Sequence, residues 1–148
     1  MGMEFDAMDV KILDILQEDA RTTLTEIGRR IHMSQPAVAE RVKRMESAGV
    51  ISGYHAKVNP AALGYGIIAF IRVSARGHDT PVAVVASQVP EIVECHSITG
   101  EDCNIVKVVA KSVAELEGVI LKLTRCGVTS TSLILSSSVE RKALKPAH

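Results

Sequence analysis

The chain has 148 residues, of which 47% are hydrophobic and 23% charged, and its 17 basic residues are balanced by 17 acidic ones. This length allows one or two small domains and excludes a large catalytic architecture such as a (β/α)₈ barrel. With two tyrosines, two phenylalanines and no tryptophan, the chain has few of the aromatic side chains on which proteins stack single-stranded bases. A net charge of zero also argues against nucleic acid, unless the basic residues are concentrated in one region.

The N-terminal residues are acidic and contain no apolar signal core, and no uncharged stretch is long enough to span a bilayer. We therefore expect a cytoplasmic protein with no membrane association. Three cysteines without a C-x-x-C pair predict reduced thiols. Cys95, His96 and Cys103 could meet on adjacent strands, but zinc ligands usually have tighter, paired spacing, so no metal site is predicted.

Apolar spacing predicts three helices in the first 57 residues. One covers 9–18, and a second begins at Thr23, where Thr23 and Glu26 form a capping box. A third begins after the N-cap Ser34 and ends at Gly49. The predicted buried stripes are Met8, Ile12, Ile15 and Leu16; Leu24, Ile27 and Ile31; and Val38, Val42 and Met45. Two capped helices separated by two residues have the form of a helix-turn-helix, although a small helical bundle would share this periodicity.

The exposed face of the third helix favours DNA binding over an ordinary solvated face with i,i+4 ion pairs. Its N-terminal half is small and polar and basic residues follow, which suits a helix that enters the major groove. The DNA contacts are predicted to come from Ser34, Gln35, Pro36, Ala39, Glu40, Arg41, Lys43 and Arg44. Charge is also unevenly distributed, since residues 1–28 hold two basic and seven acidic residues whereas residues 29–57 hold six basic and two acidic ones. Residues 50–58 alternate in polarity, which predicts a short strand pair, or wing.

After a linker at 58–66, the chain predicts the order βαββαβ. Strands are expected at 67–74, 92–98, 105–110 and 130–139, one helix after Thr80-Pro81, and another after Ser112 with Val113, Leu116, Ile120 and Leu123 at helical spacing. The fold class is thus α+β, with a (winged) helix-turn-helix at 1–57 and a ferredoxin-like βαββαβ sandwich at 67–148. Because apolar residues occupy both faces of the strands, we expect another subunit to cover the open face of the sheet.

An RNA-recognition domain has the same order of elements. It needs two or three aromatic side chains on its central strands, and strands 92–98 and 105–110 contain none. Duplex DNA is therefore the expected nucleic acid.

Several motifs resemble those of the leucine-responsive/AsnC family of transcriptional regulators, and the resemblance covers nearly the whole chain. These motifs are Asp9-x-x-Ile12-Leu13, Leu16-Gln17-x-Asp19-x-Arg21, Ser34-x-x-x-Val38, Arg41-Val42-x-Arg44-Met45-Glu46 and Gly49-Val50-Ile51-x-Gly53-Tyr54. The resemblance implies a regulator that dimerises through its second domain and often assembles into octamers. The family usually has glycine at the positions of Ala20 and His32, where glycine allows a positive φ that histidine tolerates better than alanine does.

The resemblance also implies that the loop between the second and third strands of the sandwich helps to bind a small amino acid. The family pattern there is Gly, any residue, an aromatic residue, Asp, and an aromatic or aliphatic residue. Gly100 and Glu101 fit this pattern, whereas Asp102, Cys103 and Asn104 do not. Within the candidate site, Thr99 to Asn104, either carboxylate could hold a ligand ammonium group and the Gly100 backbone its carboxylate. Two carboxylates could instead favour a basic ligand, and a polar turn without a ligand is the alternative.

No phosphate loop, nucleophile motif or metal spacing accompanies the five histidines, so neither a cofactor nor enzymatic activity is expected. One enzymatic alternative comes from the resemblance itself, because some relatives of the family act as sirohaem decarboxylase subunits. His96, which lies on a predicted strand, would then be the residue to suspect.

Overall fold

The structure, a computed structural model, describes residues 4–74, 80–101 and 103–147. The chain divides into an N-terminal unit, Met1–Ala56 with Val139–His148, and a second unit, Lys57–Ser138. Residues 139–147 thus lie with the N-terminal unit, whereas the sequence suggested that they belong to the second domain. Contacts within the unit explain the difference, because the Gln17 side chain donates to the Leu144 carbonyl at 2.9 Å and accepts from its amide at 2.8 Å.

The N-terminal unit contains the three predicted helices, α1 (Ala7–Glu18), α2 (Leu24–Ile31) and α3 (Gln35–Ser47). Each begins at a polar N-cap residue whose side chain accepts a hydrogen bond from a backbone amide in the first turn. These residues are Asp6, Thr23 and Ser34. The predicted stripes meet in one core, which consists of Ile12, Ile27, Ile31, Val38, Val42 and Met45, with Met8, Leu13, Ile15, Leu16 and Leu24 packed against it. The helical periodicity therefore identified the core of this unit correctly.

The capping box predicted at α2 is only half formed. Thr23 Oγ1 accepts the Glu26 amide at 3.2 Å, but the Glu26 carboxylate binds Arg29 and Arg30, each at 2.8 Å, and not the cap amide. A guanidinium is a stronger partner for a carboxylate than a neutral amide is. A complete box forms instead at α1, where Asp6 accepts from the Asp9 amide at 2.9 Å and Asp9 accepts from the Asp6 amide at 3.2 Å.

The predicted wing is absent, since residues 50–58, all of which the structure describes, form no strand. Gly49 takes a positive φ of 71°, and the amides of Val50 and Ile51 both donate to the Met45 carbonyl. Further along, the Tyr54 hydroxyl donates to Glu46 at 2.8 Å. These bonds attach the segment to the end of α3, and its alternating polarity does not produce a hairpin.

The second unit has the predicted βαββαβ order: β1 (Ile67–Ser74), α4 (Val82–Gln88), β2 (Ile92–Ser97), β3 (Asn104–Ala110), α5 (Val113–Leu123) and β4 (Val128–Leu133). The four strands form one antiparallel sheet in the order β2-β3-β1-β4. β4 begins and ends earlier than the predicted 130–139. It pairs antiparallel with β1, from Val128 opposite Ser74 to Leu133 opposite Ala69. Beyond Ala69, β1 has only Ile68 and Ile67 left to pair with, so a strand that continued to residue 139 would have no partner there.

Both helices of this unit pack on one face of the sheet. The core between them and the strands contains Ala69, Ile71, Val73, Val106, Val108 and Ala110 from the sheet and Val82, Leu116, Val119 and Leu123 from the helices. Val113, one of the apolar residues found at helical spacing, is 70% exposed, and Val119, which was not among them, is buried with Leu116 and Leu123. The opposite face is more mixed than expected, because Ile68, Phe70, Ile105 and Val109 share it with Arg72 and an ion pair between Lys107 and Glu94 at 3.0 Å.

Candidate DNA-binding and ligand-binding sites

All eight residues predicted to contact DNA lie on α3 or at its N-cap. Ser34 is the cap, and its hydroxyl accepts the Ala37 amide at 3.4 Å. Gln35, Pro36, Glu40, Lys43 and Arg44 are exposed, whereas Ala39 and Arg41 are half-buried. The structure therefore brings the predicted residues together on one helix but does not present them equally to solvent.

The turn before α3 depends on two residues. His32 ends α2 in the left-handed region, with φ 58° and ψ 46°, and is the only non-glycine residue with positive φ in the described ranges. The Met33 amide then donates to the Gly28 carbonyl at 2.9 Å, and a Cβ added at Gly28 would lie only 2.4 Å from the Met33 oxygen. The turn thus passes directly over Gly28. Ala20, the other departure from the family pattern, takes no positive φ, so it does not carry this strain.

Two arginines of α3 are bound by carboxylates at the start of α1. Arg41 Nη1 lies 2.6 Å from Asp6 Oδ2 and 2.8 Å from Asp9 Oδ1, and Arg44 Nη2 lies 2.7 Å from Asp9 Oδ2. Asp9 is completely buried. The hydrogen bond from the Asp9 amide and then that from Arg41 lower the pKa of Asp6, while bonds to Asp6 and then Asp9 raise the pKa of Arg41.

Much of the positive charge that the sequence places in residues 29–57 is therefore paired inside the unit. Arg29 and Arg30 bind Glu26, whose pKa falls to about 2 because it accepts hydrogen bonds from both of them. Among the described residues, Lys43 has no ion-pair partner. Acidic residues are concentrated in the first helix and basic residues in the recognition helix, as the sequence showed. In the folded unit, however, carboxylates at the start of α1 form ion pairs with arginines of α3.

A shallow groove of about 500 Å³ follows the exposed side of α3. Its lining includes Ala37 and Ser47, which sequence reasoning did not single out, beside the predicted Glu40 and Arg44. Positions 37, 40, 44 and 47 are spaced by three or four residues and share one helix face. Ser47 could have been predicted from the sequence, because it lies three residues after Arg44 and so falls on the same helix face.

Of the predicted ligand-binding residues, 99–101 and Cys103 lie in the connection between β2 and β3, and Asn104 is the first residue of β3. The Ile98 amide donates to the Cys103 carbonyl at 3.0 Å, and the Cys103 amide donates to the Val73 carbonyl at the end of β1 at 3.1 Å. The Ser74 hydroxyl donates to the Glu101 carbonyl at 3.2 Å. Gly100 takes a φ of 113°, which an L side chain rarely adopts.

This loop leaves its polar groups accessible. Thr99, Gly100 and Glu101 are exposed, and Cys103 and Asn104 are half-buried. Asp102 lies outside the described residues. In the part of the chain that the structure describes, no group of three or more His, Cys, Asp or Glu residues could hold a metal ion. His96, the residue suspected in the enzymatic alternative, is on β2 with a side chain that is 61% exposed, and its Nε2 lies 3.5 Å from Glu94.

Comparison with known protein families identifies both units. Residues 5–46 match the AsnC-type helix-turn-helix domain, and residues 68–144 match the Lrp/AsnC ligand binding domain. The chain belongs to the Lrp/AsnC family. The second match covers more than half of the chain, and the first covers α1, α2 and nearly all of α3. This Lrp/AsnC protein is therefore a DNA-binding transcriptional regulator with a ligand-binding domain, as the sequence motifs predicted.

Individual relatives agree with this assignment. The Lrp/AsnC regulator is 40% identical to the HTH-type transcriptional regulator FL11 of Pyrococcus furiosus over 75% of its own length and 74% of that protein. It is 35% identical to the leucine-responsive regulatory protein of Rhizobium meliloti over 81% and 80% of the two chains. Its fold matches a transcriptional regulator from Neisseria meningitidis in complex with L-methionine, with a TM-score of 0.87 and 27% identity over 96% and 97% of the two chains. None of the helices in the described ranges could cross a membrane.

Proposed function

We propose that this Lrp/AsnC regulator binds operator DNA as a homodimer through α3 and that an amino acid bound at loop 99–104 modulates its binding. The observation that carries the proposal is the presentation of Gln35, Glu40 and Lys43 on an exposed helix that directly follows a helix-turn-helix turn. Duplex DNA admits such a helix in its major groove. A regulator of transcription acts where the chromosome is, which supports a cytoplasmic location in a prokaryotic cell.

The side chains at the start of α3 suit base edges better than phosphates. Gln35 could pair with adenine, Glu40 could accept from cytosine, and Ser34 could add a contact beside its capping bond. Lys43 is the cation of α3 with the greatest freedom to meet a phosphate or a guanine, because it is exposed and has no ion-pair partner in the described ranges. Pro36, Ala39 and Arg44 would complete the surface.

A second copy of the chain is the proposed cover for the open face of the sheet. Ile68, Phe70 and Ile105, which are half-buried in the single chain, supply its apolar part, and the paired Glu94 and Lys107 lie on the same face. A two-fold axis would bring the same patch from each copy together, which is the commonest way in which soluble proteins form dimers. Higher assemblies such as an octamer would need further surfaces.

The ligand is proposed to be an amino acid, and L-methionine is the first candidate because it occupies the similar regulator from N. meningitidis. The exposed Glu101 carboxylate would bind the ammonium group, and the loop backbone around Gly100, with Thr99, Cys103 and Asn104, would face the ligand carboxylate and side chain. Asp102 stays a proposed contact. If both carboxylates take part, a basic amino acid would bind instead.

Isothermal titration with the twenty amino acids tests this ligand proposal. We expect heat with one amino acid, or with one group of similar ones, and an affinity about tenfold or more lower in Glu101→Ala, because a hydrogen bond to a charged group is lost. Glu117→Ala, an exposed carboxylate on α5, is the matched control and should bind normally. If none of the twenty gives heat, amino acids are not the ligand class.

A role without catalysis is proposed, since the similar proteins are regulators. The sirohaem decarboxylase alternative predicts a Soret band when the tetrapyrrole is added, and this band would disappear in His96→Ala. We expect no such band.

A further inference from the structure

We propose that Asp9 is a positioning residue for DNA recognition and that Arg41 binds this carboxylate and not DNA. The inference rests on the proposed DNA-binding function of α3 and refines it. It removes Arg41 from the predicted DNA contacts and adds a residue of α1, which touches no DNA, to the determinants of specificity.

Both oxygens of the Asp9 carboxylate accept hydrogen bonds from within the unit. Oδ1 accepts from Arg41 at 2.8 Å, and Oδ2 accepts from Arg44 at 2.7 Å and from the Asp6 amide at 3.2 Å. With both guanidinium groups in place, no part of Asp9 is exposed to solvent. The carboxylate is therefore paired by protein groups alone.

A move of the Arg41 guanidinium to a phosphate would break its ion pairs with Asp6 and Asp9. Its side chain is 25% exposed, and the same Nη1 atom bridges Asp6 and Asp9. Moving it to DNA would leave a buried carboxylate with one of its two guanidinium partners, and an incompletely paired buried charge is costly. An ion pair with a solvated phosphate is weaker than the bonds to Asp6 and to the buried Asp9 that it would replace. Arg41 therefore stays bound to Asp9 in the DNA complex.

Arg44 differs from Arg41 in its exposure. Its side chain is 52% exposed, against 25% for Arg41, and it makes one bond to Asp9, through Nη2. The exposed part of its guanidinium carries further N–H groups, which can reach a phosphate while the bond to Asp9 is kept. Arg44 thus remains a proposed DNA contact.

The bonds from Arg41 and Arg44 to Asp9 also orient α3 as a rigid element. Arg41 and Arg44 lie three residues apart, about one helical turn, and both meet the same fixed carboxylate in the first turn of α1. Two bonds on adjacent turns fix the rotation of α3 about its axis. That rotation sets where Gln35, Glu40 and Lys43 point, and base-edge contacts depend on this direction more strongly than phosphate contacts do.

The test compares Arg41→Lys and Arg41→Ala with Lys43→Ala, a matched control on the same helix. Kd is measured for a selected operator and for random duplex DNA over a range of salt concentrations, and thermal unfolding is recorded for each variant. Lys43→Ala should make the dependence of log Kd on log salt shallower by about one unit, as expected for a lost phosphate contact. Both Arg41 variants should keep the original slope but lower the ratio of operator to random affinity by about tenfold or more.

Two outcomes would overturn the proposal. A slope about one unit shallower in Arg41→Ala would identify Arg41 as a phosphate contact. An unchanged ratio of operator to random affinity, even with a lower Tm, would reduce the cluster to ordinary stabilisation, which weakens both kinds of binding equally. If Arg41→Ala fails to fold, the ratio in Arg41→Lys decides, since it keeps the charge. Failure of the unaltered protein to prefer any duplex sequence would instead contradict the proposed function.

Discussion

His32 is the residue at which the helix-turn-helix is most strained. Its φ of 58° lies in the region that costs a non-glycine residue about 1 kcal/mol or more. We expect His32→Gly to raise the free energy of unfolding by about 0.5 kcal/mol, because glycine removes this strain but loses more backbone entropy on folding. Chemical denaturation at neutral pH measures the change.

Ala20→Gly is the matched control for that prediction. The family pattern has glycine at both positions, but Ala20 takes no positive φ. Glycine there should lower the free energy of unfolding by about 0.5–1 kcal/mol through backbone entropy alone. Equal effects at both positions would show that the backbone conformation is not the cause.

Glu26 provides a pH-dependent contribution at the residue scale. Hydrogen bonds from Arg29 and Arg30 lower its pKa from an ordinary value of 4.5 to about 2. Because the pKa is lower in the folded state, the stabilisation is complete above pH 4.5 and is lost as the pH falls towards 2. Glu26→Gln should therefore have a lower Tm than the unaltered protein at pH 7 and the same Tm near pH 2. A difference that does not depend on pH would contradict the assigned cause.

At the scale of elements, the approach of the turn to α2 makes Gly28 difficult to replace. An added Cβ would lie 2.4 Å from the Met33 oxygen, so the backbone of the turn would have to move. We expect Gly28→Ala to destabilise the protein by about 1–3 kcal/mol, as overpacked sites do. Thermal unfolding and DNA affinity should both decline, since the turn carries α3.

Gly118 is the matched control for Gly28. It lies within α5, and a Cβ there would meet nothing within 4 Å. Gly118→Ala should stabilise the protein by about 0.5–1 kcal/mol through helix propensity. Destabilisation at both positions would argue against a steric origin of the effect at Gly28.

The elements that the sequence predicted well are those with strong local signals. The N-caps Thr23, Ser34 and Ser112 and the period-two pattern of β1 depend on neighbouring residues, and all were located correctly. The extent of β4 depends on where β1 starts, which is some sixty residues away. The hydrogen bonds to Met45 belong to the C-cap at Gly49, which the sequence located, but the alternating polarity after it does not show whether the segment finds a strand to pair with, and it forms no strand.

The sequence was sufficient to predict where the candidate sites lie, but not which of their charged side chains form ion pairs within the protein. Helical periodicity alone placed the exposed side chains of α3 on one face, and strand order placed loop 99–104 at the β2–β3 connection. The bonds between Asp9 and the two arginines join residues more than thirty positions apart. A charge count along the chain therefore assigned to DNA two arginines that also have partners within the protein.

At the scale of the whole molecule, the chain leaves the N-terminal unit after Ala56 and returns to it at Val139. Gln17 holds the backbone of Leu144 by two hydrogen bonds, and Lys145 pairs with Asp14. We expect Lys145→Glu to lower the stability of this unit by about 0.5–1 kcal/mol and to speed amide exchange in the second half of α1. Hydrogen exchange measures this effect residue by residue.

Lys142→Glu makes the same change of charge on an exposed residue that has no partner in the described ranges, and it should leave exchange in α1 unchanged. Faster exchange in both variants would indicate a general effect of charge and not the docking of the C-terminal segment.

The central claim is that a dimer reads duplex DNA through two copies of α3, and selection from a random duplex library tests it most directly. We predict enrichment of inverted repeats whose half-sites lie about 10 base pairs apart, or a multiple of that spacing, because a two-fold dimer places its recognition helices in successive major grooves. Gln35→Ala should change the preferred bases within each half-site without changing the spacing. Recovery of no enriched duplex sequence would contradict the account.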